Sequence, residues 1–276
     1  MIPRVVHFVF GLRSQDEPFH LLHYAAIASC QAVVRPDEIR LHVHHLPYGL
    51  YFDLARPLVT LERIEPVDAV ERLIPKELAP YGYAHHADVI RLDILLRHGG
   101  VYADIDTVFW RPFPSELWEA EAVIGAEAPV QYPDVSAPEP SVSNALIMSR
   151  PESAFITQWR RRIFGAMDAT WSGHSCRLAT RLANEQPDAV RVEPRARFSP
   201  FDHSAAGLRA LLEEPMAPGV LDHTTSVHLM AHLWWQRNRR DFVNFSAGDA
   251  SEAHVRESDT PLAHLVRPHL PAHGLF

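Results

Sequence analysis

One stretch, Ala87–Phe113, reading ADVIRLDILLRHGGVYADIDTVFWRPF, constrains the fold of this chain more than any other. Val89, Leu92, Leu95 and Leu96 recur at helical spacing, and Ile90 and Ile94 widen the apolar stripe. His98 with Gly99 and Gly100 supplies the stop, because glycine enters positive φ at little cost. Val101, Tyr102 and Ala103 then read as a buried strand running into Asp104, Ile105 and Asp106. Residues two apart in an extended segment share a face, so Asp104 and Asp106 are expected on one side and Ile105 on the other.

Two carboxylates held together repel each other. A hard divalent cation such as Mg²⁺ or Mn²⁺ removes that repulsion and keeps positions open for phosphate oxygens. The place also suits a ligand, since open α/β sheets bind beyond the carboxyl ends of their strands. Asp88 and Arg91, three apart, lie on one helix face near its start, where an aspartate suits the helix dipole. The stretch therefore reads as a metal and diphosphate site, with Asp106 as the direct metal ligand.

These residues resemble the sugar-binding Asp-x-Asp region of glycosyltransferase family 32. That family includes yeast-type initiating mannosyltransferases and bacterial capsular polysaccharide transferases, and glucosylating clostridial toxins are similar. The family pattern runs Ser-Asp-x-x-Arg, then x-x-Leu, then Gly-Gly-x-Tyr-x-Asp-x-Asp. Asp88, Arg91, Leu95, Gly99, Gly100, Tyr102, Asp104 and Asp106 match it, with Ala87 in place of the common serine. More faintly, Ile2–Gly11 resembles the opening strand, Ser143–Ile156 the Asn-Ala-Leu strand and its helix, Ser172-Gly173-His174 the usual Thr-Gly-Pro, and His232–Trp235 the terminal His-x-Trp element. The resemblance covers roughly Ile2 to Arg240 in order.

It implies a GT-A type, Rossmann-like nucleotide-sugar-binding fold, a single α/β domain with a mixed central sheet over residues 1–244. Residues 245–276 are expected to be a loosely ordered tail. It also implies that Asp104 meets the metal through water, or meets the ribose and donor sugar. Asp88 and Arg91 would hold donor hydroxyls, where an ionic hydrogen bond is worth about 1.5 to 3 kcal/mol; an intrahelical ion pair alone is worth about 0.2 to 0.5 kcal/mol. His232 is the expected imidazole ligand of the metal, with His228 as its rival, since Mn²⁺ accepts imidazole beside carboxylate and phosphate. Tyr102 and Asn144 are expected at the donor, Trp234 or Trp235 stacked on a base or sugar, and Phe8 and Phe10 flanking the nucleotide base. Core packing is the competing reading for the aromatic residues.

The rest of the chain alternates between strand and helix, as a parallel α/β layer requires. Strands are expected at Val5–Phe10, Glu38–His44, Leu58–Ile64, Ala122–Ala126, Ala145–Met148, Val190–Val192 and Thr225–Leu229. Helices are expected at Pro18–Val34, Ser153–Met167 and Ser175–Asn184. Pro129–Pro140 reads as a mobile loop able to cover a substrate. The chain has neither a GxGxxG fingerprint nor a GKS/GKT loop, so a diphosphate would need the metal rather than a glycine cradle.

A formal charge of −8 argues against sequence-independent binding to nucleic acid. The two cysteines, Cys30 and Cys176, suggest neither a disulfide scaffold nor a CxxC metal site. The absence of a signal peptide or a long apolar run leads to the expectation of a cytoplasmic, bacterial enzyme with room for peripheral membrane association. The expected partners are a UDP- or GDP-sugar donor and a saccharide acceptor. The expected reaction is metal-dependent hexosyl transfer with retention, in polysaccharide or glycoconjugate synthesis. Two other classes compete. DIDTV fits the Asp-x-Asp-x-Thr/Val signature of haloacid-dehalogenase-like phosphatases, but those need a downstream lysine, and the only lysine here, Lys76, lies upstream. A noncatalytic sugar-binding protein is the other.

Overall fold

A computed structural model describes residues 1–76, 81–168, 170–236 and 243–271; Arg240, where the resemblance ends, lies outside them. Among the described residues the strands are β1 Val5–Phe10, β2 Glu38–Val43, β3 Thr60–Arg63, β4 Gly100–Ala103, β5 Thr107–Phe109, β6 Ala122–Val130, β7 Glu139–Ser149, β8 Arg191–Glu193 and β9 Ser226–His228. The α-helices are α1 Leu21–Ser29, α2 Leu50–Ala55, α3 Asp68–Leu73, α4 Gly82–His98, α5 Ser115–Glu119, α6 Ala154–Arg162, α7 Leu178–Glu185, α8 Arg195–Phe198, α9 Ala205–Leu212, α10 Glu252–Glu257 and α11 Pro261–Val266. Seven strands make one mixed sheet in the order β3-β2-β1-β4-β7-β6-β8. β1, β2, β3 and β4 run parallel, and β7 runs antiparallel to both β4 and β6. The expected mixed α/β sheet is therefore present.

Side chains alternate across the sheet as the two-residue period demands. Val6, Phe8, Val101 and Ala103 point into one apolar layer, and Val9, Tyr102 and Ile147 into the other, beneath α4, α6 and α7. α4 is buried around much of its girth, which is why it carries His85, His86, Asp88 and Arg91 inward as well as Val89, Leu92 and Leu95. It ends where the Gly99 N–H donates to the Leu95 carbonyl, 2.9 Å away. Gly99 at φ 62° and Gly100 at φ 96° turn the chain into β4. A Cβ on Gly99 would lie 2.6 Å from Pro151 Cδ, so only glycine fits this corner.

Four sequence expectations change. Asp104–Asp106 is not extended: the Thr107 N–H donates to the Asp104 carbonyl at 2.9 Å and closes a turn between β4 and β5. The strand expected near Thr225–Leu229 forms as β9 but pairs with β5 in a separate two-stranded sheet. The tail is not loose over residues 245–270. Ser251 and Thr260 cap α10 and α11, and Phe245, Val255, Leu262, Leu265 and Val266 pack with Leu21, Leu22 and Trp234 in a third core. The expected loop at Pro129–Pro140 is shortened by β6 and β7, and Arg177 pairs with Asp134 at 2.9 Å and with Glu139 at 3.1 Å to fasten it.

Candidate active site

The chain crosses from β3 back to the far side of β1, so the sheet order reverses between β1 and β4. The carboxyl ends of those neighbouring strands form a switch-point crevice of the kind α/β sheets use for ligands. Asp104 and Asp106 sit there because the turn after β4 delivers them. β5 then pairs with β9 so that Thr107 faces His228, which brings the imidazole back to the carboxylates.

Each carboxylate is gripped on one oxygen and turns the other toward His228. Asp106 Oδ2 accepts the Ala231 N–H at 2.8 Å, and its Oδ1 lies 3.3 Å from His228 Nε2. Asp104 Oδ1 accepts the Tyr102 hydroxyl at 2.7 Å, while its Oδ2 lies 3.9 Å from the same imidazole nitrogen. Such second contacts fix ligand orientation in metal sites. One ligand atom each from Asp104, Asp106 and His228 falls within 4.8 Å of the others, and this oxygen-rich set with one imidazole fits Mn²⁺ or Mg²⁺.

Electrostatics tie the three together. Burial works against the charge on Asp106, yet His228 outweighs it and holds the carboxyl well below the usual range. Burial raises Asp104, whose attraction to Arg91 and His228 does not fully compensate. Burial likewise disfavours the His228 cation, but Asp106 pushes its pKa up to about 9. Without a metal, a proton on His228 fills the positive role at neutral pH. A bound cation has to displace that proton.

Behind this cluster lies a buried polar network. Asp88 Oδ1 accepts from Arg91 at 2.9 Å and Asn144 Nδ2 at 2.7 Å, and its Oδ2 faces His174 Nε2 at 3.0 Å. Arg91 also donates to the carbonyls of Ala87 and Asn144, lies 3.4 Å from Asp104 and stacks over the Tyr102 ring at 4.6 Å. Asp88 and Arg91 are thus not a surface ion pair. They bridge α4 to β7 and steady Asp104. Asn144 is brought to this network, its amide turned to Asp88.

Other expectations fare differently. His232 stacks between Trp171, at 5.3 Å, and His228, at 6.5 Å, and stands outside the ligand cluster that His228 completes. Trp234 is fully buried in the third core and donates its indole N–H to the Leu229 carbonyl, so it does not stack on a ligand. Trp235 instead lies half-buried, stacked on His23 at 4.9 Å. Phe8 is core, edge-on to Phe109; Phe10 packs on Phe19 and His23 at the strand end. Sequence reasoning missed the place of His174 beside Asp88. Its only signal was its position in the Ser-Gly-His triplet.

The family model described as the glycosyltransferase sugar-binding region containing the DXD motif matches residues 65–128. Glucan organizing enzyme 1 of Cryptococcus neoformans var. grubii serotype A is 32% identical over 209 residues, which cover 74% of this chain and 56% of that protein. The chain thus spans about half the length of the curated relative it matches. Similar solved structures include apo GlyE of Streptococcus pneumoniae TIGR4, at 14% identity over 83% of this chain and 54% of that one, with a TM-score of 0.47. The galactosyltransferase LgtC in complex with donor and acceptor sugar analogs is 14% identical over 97% of each chain, with a TM-score of 0.44. The PaToxG glycosyltransferase is 15% identical over 67% of this chain and 70% of that one, also at 0.44. The match over residues 65–128 takes in the Asp88–Asp106 motif, and with the 32% identical relative it supports a glycosyltransferase carrying a DXD sugar-binding region.

Proposed function

We propose that the protein transfers a hexose from a nucleoside-diphosphate sugar to a saccharide or other hydroxyl acceptor, using Mn²⁺ or Mg²⁺. The observation that carries this reading is the convergence of Asp104, Asp106 and His228 at the β1/β4 switch point, with both aspartates inside the matched sugar-binding region. Asp106 and His228 would hold the cation, and Asp104 would hold it or the donor. When bound, the cation supplies positive charge against the departing diphosphate. His232 serves as a packing partner of His228 rather than as a ligand.

The chain's own residues do the positioning. Asp88 anchors Arg91, and Arg91 holds Asp104 and brings a guanidinium to the donor side of the cluster. Four protein partners leave Arg91 one N–H for a donor hydroxyl. In the reaction the bond from the sugar's anomeric carbon to phosphate oxygen breaks and the acceptor oxygen bonds to that carbon. The acceptor's proton passes to the leaving phosphate. We assign retention by front-face attack, within polysaccharide or glycoconjugate synthesis, with UDP and GDP both candidate bases.

The test is release of nucleoside diphosphate from a panel of UDP- and GDP-hexoses with Mn²⁺ or Mg²⁺. Turnover of one donor, lost in Asp106→Asn, is expected. Phosphate release from simple phosphomonoesters with no sugar transfer would instead support a phosphatase. Product NMR checks the stereochemistry, and inversion at the anomeric carbon would rule out front-face attack.

A further inference from the structure

A second group of metal-type ligands lies between α4 and the Gly173–Arg177 segment. His85 Nδ1 is 3.1 Å from His174 Nε2, His174 Nε2 is 3.0 Å from Asp88 Oδ2, and His85 Nδ1 is 3.9 Å from that same oxygen. A tetrahedral zinc ion with bonds of about 2.0 to 2.1 Å separates its ligand atoms by about 3.3 Å, and the three distances straddle that value. All three side chains are buried.

Protons alone pair the three facing atoms poorly. If His174 Nε2 carries a proton, it serves both Asp88 and His85 Nδ1 from one hydrogen, and His85 must then carry its own proton on Nε2. That nitrogen is buried without a hydrogen-bonding partner among the described residues. If His85 Nδ1 carries the proton instead, His174 Nε2 must turn a lone pair toward the Asp88 carboxylate. Either arrangement leaves a buried group unsatisfied, which costs about 1 to 3 kcal/mol. A cation accepts all three facing lone pairs at once, while His85 Nε2 keeps no hydrogen-bonding partner among the described residues in either case.

The surroundings also suit an ion. Burial lowers the His85 pKa, which keeps its imidazole neutral and ligating. A small cavity lined by Ile74, Met167, Asp168 and Thr170 adjoins His85 and His174, with Asp168 accepting from Thr170. The Arg91 charge sits on the opposite Asp88 oxygen.

We propose that His85, Asp88 and His174 form a second metal site, for a tetrahedral transition ion of the zinc type, that clamps α4 to the Gly173–Arg177 segment. The two imidazoles and one carboxylate favour zinc over the harder ions suited to Asp104 and Asp106. The site is independent of the transferase reading. It acts on the donor side only by fixing Asp88, which fixes Arg91.

The experiment uses chelator-treated full-length Asp106→Asn protein, in which the carboxylate cluster is disabled, titrated with Co²⁺ as a spectroscopic probe. Intense visible bands of tetrahedral Co²⁺ at one equivalent, bleached by Zn²⁺, are expected. The bands should vanish when His85→Ala or His174→Ala is added, and Zn²⁺ should raise the melting temperature of the parent alone. Zinc X-ray absorption on the parent gives a readout that needs no second variant, and two imidazole nitrogens with carboxylate oxygen are expected. Absence of tetrahedral bands, their persistence in a folded double variant, or a zinc shell without two imidazoles overturns the proposal.

Discussion

Replacing Asp88 by asparagine keeps the side chain's shape and removes its charge. The carboxylate is 7% exposed and makes three contacts, at 2.7 Å to Asn144, 2.9 Å to Arg91 and 3.0 Å to His174. An asparagine turned with its oxygen toward Arg91 and Asn144 keeps those two contacts. Its amide then faces His174, which can accept by changing tautomer. The loss is chiefly electrostatic, because Arg91, 3% exposed, keeps only Asp104 at 3.4 Å as an anion. Breaking a buried pair costs about 3 to 5 kcal/mol, and the surviving Asp104 contact puts this case near 3. At about 2 to 4 °C per kcal/mol, the melting temperature should fall by about 6 to 12 °C in chelator at pH 7. Asp93→Asn on the same helix is the matched control: its pair with Arg160 is half-exposed and should be worth at most about 1 kcal/mol. Burial opposes the Asp88 charge, but Arg91 and His174 hold its carboxyl below the usual range. Its stabilisation is therefore present above the unfolded pKa near ~3.9 and is lost as pH falls through the lower folded value. The melting curves of parent and variant should converge only below about pH 4. An Asp88→Asn protein that melts within about 2 °C of the parent, or no lower than Asp93→Asn, would refute the reasoning.

Leu95→Ala should cost about 2 to 5 kcal/mol in denaturant melts, because Leu95 is fully buried under the sheet and its loss leaves a cavity. Gly100→Ala should destabilise by at least about 1 to 2 kcal/mol, since its Cβ would meet the Val5 carbonyl oxygen at 2.5 Å. Burial lowers the His7 pKa to about 4, where the imidazole is held between His42 and the Gly99 carbonyl. The unfolded chain takes up that proton first, so stability present above pH ~6.5 should fall by about 3 kcal/mol on descent to pH ~4; His7→Asn should flatten that slope, and equal slopes would count against it. Mn²⁺ binding should release about one proton at pH 7, read from calorimetry in buffers of different ionisation enthalpy, because His228 must deprotonate to ligate.

Much of the scaffold was legible because it rests on local rules. The apolar stripe of α4, the Gly99-Gly100 stop and the alternation in β1 and β2 follow directly from side-chain period and backbone freedom. What escaped depends on long-range pairing. Spacing alone does not show which of His228 and His232 lies beside the carboxylates; the β5–β9 register brings His228 there, by setting Thr107 opposite it. Nor does spacing show that Trp234 is buried in the third core while Trp235 lies half-buried at its edge, stacked on His23. His85 and His174 are 89 positions apart, and no local pattern joins them. The tail was a misreading of present signals. Ser251 and Thr260 each precede apolar residues at helical spacing, a capped-helix signature hidden by the surrounding polar residues.

The central claim is that Asp104, Asp106 and His228 form a cation site for a nucleoside diphosphate. Calorimetric titration of UDP and GDP into the protein, with and without Mn²⁺ and alongside Asp106→Ala, tests it most directly. The account predicts that one of the two nucleotides binds only with Mn²⁺ and that Asp106→Ala abolishes this binding without unfolding the metal-free protein. Binding that is indifferent to Mn²⁺ and to Asp106→Ala, or no binding of either nucleotide under any metal condition, would contradict it.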